Sequence, residues 1–552
     1  MATRWSSWYW QLGLANLLAI GGAIAPVNSG LAQIIPDSTL GAESSVITFP
    51  PRDQLAGGAT RGANLFQSFQ EFSVPTGSAA YFNNASDIQN IISRVTGASV
   101  TYIDGLIRAN GIANLFLINP NGFIFGPNAA LDIGGSFVGT TASSLNFADG
   151  TQFSATAPQT IPLMSVGVPT GLQFGATAGS ILNQSLLAVD SGRTLALIGG
   201  DVRLNGGAIL APGGNVELGG LSDAGSVGLS SNDNQISLSF PNGVARADVS
   251  LSNLDSNPAS VNVAGSDGGS IAINARNIDI SGGSSLNSGP GTGTSLGFPN
   301  NQPGDISLNA QGAIALNNGF ISNRVPAEGV GNSGDINITT GSLAVTNGGL
   351  LSASTGGQGN AGNVNINALN TVSLDGVGSN RGSSGVFSTV EPGGVGNGGD
   401  INITTGSLDV MNGASLGAST TGSGGAGNIQ VAASSIRLDN KANLGSNTTG
   451  AGGNIILRSG DLVLRRGSNI TTNATGTANA GNITIDTGAL TILENSGITA
   501  NASTGAGGSI QISASSIQIR EKVPEPGTVG ALLLAGVAAL GYGKRQKQAF
   551  RD

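Results

Sequence analysis

From Gly268 to Ile519 the chain repeats one arrangement of polar and apolar positions: a Gly-containing corner, then Asp, Asn or Ser, then an alternating apolar run. It reads GGSIAINARNIDI (268–280), PGDISLNAQGAIAL (303–316), SGDINITTGSLAV (333–345), AGNVNINALNTVSL (361–374) and GGDINITTGSLDV (398–410). It continues as AGNIQVAASSIRL (426–438), GGNIILRSGDLVL (452–464), AGNITIDTGALTI (480–492) and GGSIQISASSIQI (507–519). The second residue of each phrase is glycine, recurring every 26 to 37 residues from Gly269 to Gly508. A fixed period of this length marks a stacked solenoid. Alternation with period two predicts strands, and a third short segment follows in most repeats, such as LLSAST (350–355) and NLGSNT (443–448). Three short strands per repeat make one triangular coil of an all-β, right-handed parallel β-helix, with aliphatic rows stacked inside at about 4.8 Å per coil. Gly-, Ser- and Thr-rich segments of this kind propagate α-helix poorly. Upstream, LFLINPNGFIFGPNAALDIGG (115–135) has the same logic: LFLI, FIF and ALDI are three sides, and Asn119–Gly122 and Gly126–Asn128 are corners. The segments 289–304 and 376–399 read as surface excursions from the coil. Phe66, Phe69, Phe72, Phe123 and Phe125 are expected to face inward as cap and core packing.

Composition changes the picture mainly by exclusion. The 552 residues include 90 Gly but no Cys and no His, only 10% are charged, and the net charge is −9. Collagen is excluded by the lack of a three-residue period. Wholesale disorder is disfavoured by 39% apolar content with low charge. An acidic chain is a poor partner for nucleic acid. Without imidazole or thiol, Ser-His-Asp and Cys-His nucleophile systems and thiolate metal sites cannot be built. Acid/base chemistry would have to rest on carboxylates. The repeat aspartates Asp305, Asp335 and Asp400 share their turn position with Asn363, Asn428, Asn454 and Asn482. Such interchange fits a hydrogen-bonding turn role better than catalysis. No cofactor and no metal is expected; Asp305 and Asp335, stacked on adjacent coils, are weak candidates for a bridging calcium. Asn337, Asn402 and Asn482, each in an Asn-Ile-Thr triplet, read as ladder residues rather than glycan acceptors.

The two ends read as addresses. Residues 1–32 have a basic start at Arg4, an apolar stretch from Leu12 to Ala25 and small residues before a cleavage point between Ala32 and Gln33, the layout of a secretory signal peptide. The 521–552 tail places Pro524-Glu525-Pro526 before an apolar segment, Val529 to Tyr542, which is expected to form a short hydrophobic helix, and then Lys544, Arg545 and Lys547. Basic residues after such a segment favour a cytoplasmic end. This tripartite order resembles the PEP-CTERM sorting signal. The resemblance implies that an exosortase-like enzyme processes the chain near Pro524, Glu525 and Pro526.

Residues 33–175, with RGANLFQSFQEFSV (61–74), the NPNG corner and VGVPTGLQFG (166–175), resemble the two-partner secretion domain of filamentous-haemagglutinin-type exoproteins. In the place of the family's other Asn-rich corner stands VPTGSAAYFNN (74–84). The resemblance implies a capped β-helix and recognition by a dedicated outer-membrane transporter. It makes Asn119, Pro120, Asn121 and Gly122 the residues expected to serve secretion, beside a purely turn-shaping role. The division expected is therefore signal peptide 1–32, secretion domain 33–175, β-helix repeats 176–520 and sorting tail 521–552. The function expected is that of a non-enzymatic, secreted, cell-surface adhesin or matrix β-helix whose polar rows meet cell-surface or matrix glycans. The alternatives are a polysaccharide-acting β-helix enzyme, which would need clustered carboxylates and sugar-stacking aromatics, and a contact-dependent toxin carrier, which would need a compact charged C-terminal domain.

Overall fold

A computed structural model describes residues 33–520 apart from 49–52, 160–163, 233–234, 266–267, 291–303 and 380–381. The sequence-predicted signal peptide, C-terminal helix and sorting tail lie outside the described residues. Among the described residues no helix is long and apolar enough to cross a membrane.

The chain winds as a parallel β-helix. Fifteen strands stack on its first side, from Asn64–Ser73 to Ile510–Arg520, so winding starts well before the regular repeats. In the early coils the three sides are separate strands: Asn114–Ile118, Phe123–Phe125 and Ala130–Asp132 are the LFLI, FIF and ALD segments. From Ile336–Thr346 onward the first two sides run together as one strand, with an irregularity between Thr340 and Ser342 where the chain rounds the corner. The period-two pattern anticipated two strands there. No turn residue other than Gly341 separates them, so the backbone ladder continues through the bend.

Register follows the apolar pattern. Ile336 pairs with Val364, Val364 with Ile401, Ile401 with Ile429, Ile429 with Ile455, and Ile455 with Ile483. All six are fully buried, and each such side chain contributes about 1.5–3 kcal/mol. A slip of one residue would turn the whole row outward. The third side stacks Leu351, Val386, Leu416, Leu444 and Ile470 in the same way. Val386 lies within Gly385–Phe387, a regular third-side strand. The stretch 376–399 is therefore not one excursion: only a small hairpin pairing Val377 with Ser383 leaves the coil.

The repeat glycines have a steric reason. They sit where one coil crosses the last at contact distance. A Cβ on Gly427 would lie 1.9 Å from the carbonyl oxygen of Gly399, and one on Gly481 would lie 1.8 Å from that of Gly453. Next to each glycine runs a ladder of side-chain caps. The Asp335 N–H donates to Asp305 Oδ1 (2.9 Å), Asn363 N–H to Asp335 Oδ1 (2.7 Å), and Asp400 N–H to Asn363 Oδ1 (2.9 Å). The ladder continues through Asn428, Asn454, Asn482 and Ser509. Asp and Asn interchange because only a carbonyl-type oxygen is needed.

Two additions dress the N-terminal coils. Gln33–Pro36 and Ala59–Arg61 pair antiparallel with Asn64–Ser73 and cap the first coil. An antiparallel sheet of Gln152–Ser154, Ser144–Phe147, Pro169–Phe174, Gly225–Asn232 and Gln235–Ser239 lies over the outer face of the first side. It encloses a second core in which Phe66, Ile92, Phe116, Val138 and Ala196 meet Leu145, Phe153, Leu172 and Val227. Phe66 thus faces out of the coil, not inward as its apolar character led one to expect, and this sheet keeps water from it; Phe69, Phe72, Phe123 and Phe125 face in as expected. Buried Arg94 rivets the layers. It donates to Ser68 Oγ (2.9 Å), Thr39 Oγ1 (2.9 Å) and the Ser154 carbonyl (2.7 Å), and lies over the Phe153 ring. Burial lowers its guanidinium to about 10 while Asp37 opposes the shift, so it stays charged at neutral pH.

The same second core holds Glu217. Burial raises its carboxyl to about 8, only partly offset by the Leu238 N–H, 3.4 Å from Oε1. The folded protein therefore keeps this proton at pH values where the unfolded chain, near the ordinary 4.5, has lost it. Stability is fullest below that value and falls as the pH rises towards 8. Unfolding free energies from urea titrations at pH 5 to 8 should decline, by on the order of a few kcal/mol in all, and Glu217→Gln should flatten the slope. A second expectation concerns the coil crossing. Gly427→Ala should cost roughly 3 kcal/mol by overpacking, read as a lower midpoint in urea. Gly175→Ala, where an added Cβ meets nothing within 4 Å, should leave the midpoint within about 0.5 kcal/mol.

Candidate functional site

The Asn119–Gly122 corner joins the first and second sides of an early coil and is wedged between its neighbours. Asn119 is fully buried. Its amide donates to the Ser99 carbonyl (2.9 Å) and to Thr101 Oγ1 (2.9 Å) in the coil before, and its Oδ1 accepts from the Asn121 N–H (3.0 Å). The Gly122 N–H closes the turn on the Asn119 carbonyl (3.1 Å). The next coil lies close on the other side: Gly179 N–H donates to the Pro120 carbonyl (2.9 Å). Gly122 has φ +121°, and a Cβ there would sit 2.7 Å from the Ser180 carbonyl oxygen. Of the four residues the sequence singled out, Asn119 and Gly122 are consumed by the fold. Pro120 is half-buried, and Asn121 is exposed with its amide tied to Gly97 O (2.8 Å).

Beside this corner runs a feature that sequence reasoning missed. Along the outward row of the second side, Tyr102 pairs with Ile124 and Ile124 with Leu182. Tyr102 is 43% exposed, its neighbour Val100 is 44% exposed, and Ile124 and Leu182 are half-buried. Farther along, the same row turns polar, with Arg203, Ser250 and Asp279. The signal in the sequence was the unbroken apolar triplet Phe123-Ile124-Phe125, where alternation calls for a polar middle residue.

Two more asparagine devices frame the region. Asn90 donates to Asn64 Oδ1 (3.0 Å), Asn114 to Asn90 Oδ1 (3.0 Å), and Ser136 N–H to Asn114 Oδ1 (2.8 Å), a ladder at the entry to the first side. At the third-side corner Asn83, Asn84 and Asn110 interlock, so the stretch 74–84 does end in an asparagine-built turn. Asp104 caps the Gly126–Asn128 corner. Burial opposes its ionisation, but Thr76 and Asn128 donate to it and hold its carboxyl below the usual range.

The carboxylates farther along act as acceptors in the framework. Burial and the neighbouring Asp335 raise the Asp305 carboxyl; both aspartates are rungs of the cap ladder, each receiving the next coil's N–H. A crevice of about 230 Å³ is lined by Asp201, Arg203, Asp248, Asn277 and Asp279, with no aromatic residue. Asp201 accepts from Arg203 (2.6 Å), and Asp248 from Arg276 (2.9 Å) and Asn277 (3.1 Å). Asp439, 1% exposed, is gripped by Arg466, Arg465 and Arg437. Burial works against its charge, but those three guanidinium groups hold the carboxyl far below the usual range. Gln33, on the far side of the expected cleavage point, opens the first described strand, whereas Ala32 and Pro524, Glu525 and Pro526 lie outside the described residues.

Residues 32–273 match the family described as the TPS secretion domain, a span that includes the whole outer sheet. Residues 522–547 match the PEP-CTERM protein-sorting motif. No curated protein sequence matches the chain. Among solved structures it is similar to the crystal structure of the HMW1 secretion domain from Haemophilus influenzae, at 15% identity and TM-score 0.37, over 89% of this chain and 100% of that one. With a two-partner secretion domain at residues 32–273 and a sorting motif at 522–547, the chain carries the two marks of a secreted, cell-surface protein of Gram-negative bacteria.

Proposed function

We propose that the protein is an adhesin-like or matrix-structural β-helix, delivered by a dedicated outer-membrane transporter and trimmed at its tail by an exosortase-like enzyme. Signal cleavage falls between Ala32 and Gln33, and tail processing falls at Pro524, Glu525 and Pro526. The observation that carries the export reading is the apolar row Tyr102–Ile124–Leu182 beside the Pro120–Asn121 corner. An exposed apolar strip is costly unless something covers it, and here it lies within the matched secretion domain. On this reading the transporter's periplasmic face meets Val100, Tyr102, Pro120 and Asn121, while Asn119 and Gly122 act through the shape of the turn.

The adhesive part of the proposal rests on the outer surface of the repeats. Asn337, Asn365 and Asn402 line up on adjacent coils and donate amide to carbonyl at 2.9 and 3.0 Å. Such rows repeat donors and acceptors every coil, which suits weak, multivalent contact with glycan hydroxyls. The family matches point to a secreted exoprotein rather than to an enzyme family, and no catalytic role is assigned to any residue.

Two experiments separate these parts. Val100→Lys combined with Tyr102→Lys should reduce binding to the transporter's periplasmic domains at least tenfold and leave the thermal melt unchanged. Asn119→Ala should instead lower the melt, costing about 1–3 kcal/mol through its lost buried hydrogen bonds. Undiminished binding by the double variant would refute the proposed docking face. The secreted protein on a panel of neutral and acidic glycans should show binding that weakens when it is presented sparsely; silence across the panel would remove the adhesive reading.

A further inference from the structure

The two ends of the coil are treated differently. The first coil is closed by antiparallel Gln33–Pro36 and Ala59–Arg61. The last described strand, Ile510–Arg520, pairs with Ile483–Leu493 on one edge, and its other edge has no strand among the described residues. Its inward-pattern side chains are uncovered: Ile510 is 40% exposed, Ile512 37%, Ile517 46% and Ile519 58%. Of their counterparts one coil back, Ile483, Ile485 and Leu490 are buried and Ile492 is half-buried.

Exposed edges are normally blunted by charge or proline. This one carries neither between Ile510 and Ile519, whereas each of the four preceding two-sided strands holds at least one charge there: Asp409, Arg437, Arg458 and Asp486. The strand also reads almost the same in both directions. Ile510-Gln511-Ile512-Ser513-Ala514 forward matches Ile519-Gln518-Ile517-Ser516-Ser515 backward. The apolar positions of that match belong to every two-sided coil, but the Gln and Ser matches do not.

We propose that this end is a self-association surface on which a second copy of the chain docks tail to tail, closing the open coil of each. A two-fold axis through the Ala514–Ser515 corner lays the first side of one copy over the second side of the other with strands antiparallel. Ile510 then faces Ile519 of the partner subunit, and Ile512 faces Ile517 of the partner subunit, each in both directions, as a two-fold contact requires. The strand's one charge, Arg520, falls at opposite ends of the eleven-residue ladder in the two copies, so like charges never meet. Because the other end of each coil is capped, pairing stops at two copies and cannot extend into a filament.

The full-length chain has no cysteine, which allows a register test. Sedimentation equilibrium should give a dimer, and Ile512→Lys with Ile517→Lys should give a monomer whose melt is otherwise kept. A mixture of Gln511→Cys and Gln518→Cys chains should form an interchain disulfide on mild oxidation, while Gln511→Cys alone should not, because its two thiols would lie seven strand positions apart. A monomeric full-length chain would overturn the proposal, as would open-ended polymers. Equal cross-linking by Gln511→Cys alone would also overturn it.

Discussion

Everything in this molecule is subordinate to the distance between one coil and the next. Parallel strands stack at about 4.8 Å, and at the corner where the chain enters the first side there is no room for a side chain. The Cβ that Gly427 or Gly481 lacks would overlap the carbonyl of the coil before. That contact fixes the glycine, the neighbouring Asp or Asn whose oxygen caps the next coil's N–H, and the phase of every inward aliphatic that follows. Polar residues are left only the outside. A chain built this way has long repetitive faces and few places where chemistry could gather, and its carboxylates are spent as hydrogen-bond acceptors or on arginines.

The same constraint explains what was readable in advance. The glycine period and the alternation of Ile336-Asn337-Ile338 are local signals, and both the coil and the interchange of Asp and Asn along the cap ladder follow from them. The outer sheet was not readable, because Ser144–Phe147 and Pro169–Phe174 find partners such as Gly225–Asn232 only through a fold that brings distant segments together. Phe66 and Glu217 sit at outward positions, between inward neighbours, and are buried only because that sheet covers the outer face. The asparagine ladder from Asn64 to Asn114 was hidden by dissimilar surroundings in each coil. Gly385–Phe387 was hidden by glycines and serines that resemble a loop, although buried Val386 and pairing with Leu350–Ser352 and Ser415–Gly417 seat it in the third side.

At the candidate site the turn chemistry of Asn119–Gly122 was legible but its division of labour was not. A residue type says that a corner forms; only packing shows that Asn119 and Gly122 are used up inside it while Pro120, Asn121 and the apolar row beside them face outward. The secretion domain is thus a β-helix whose earliest coils carry an added cap, an added sheet and an exposed strip, and the later coils are a plain continuation of it.

The central claim, in-register stacking of coils, is tested most directly by a distance between equivalent positions far apart in sequence. Asn337 is linked by successive pairings through Asn365, Asn402, Gln430 and Ile456 to Thr484. Spin labels at Asn337 and Thr484 should give a narrow distribution centred near 24 Å, five coil steps. A broad distribution, or one centred well away from that distance, would contradict the stacked coil and everything built on it.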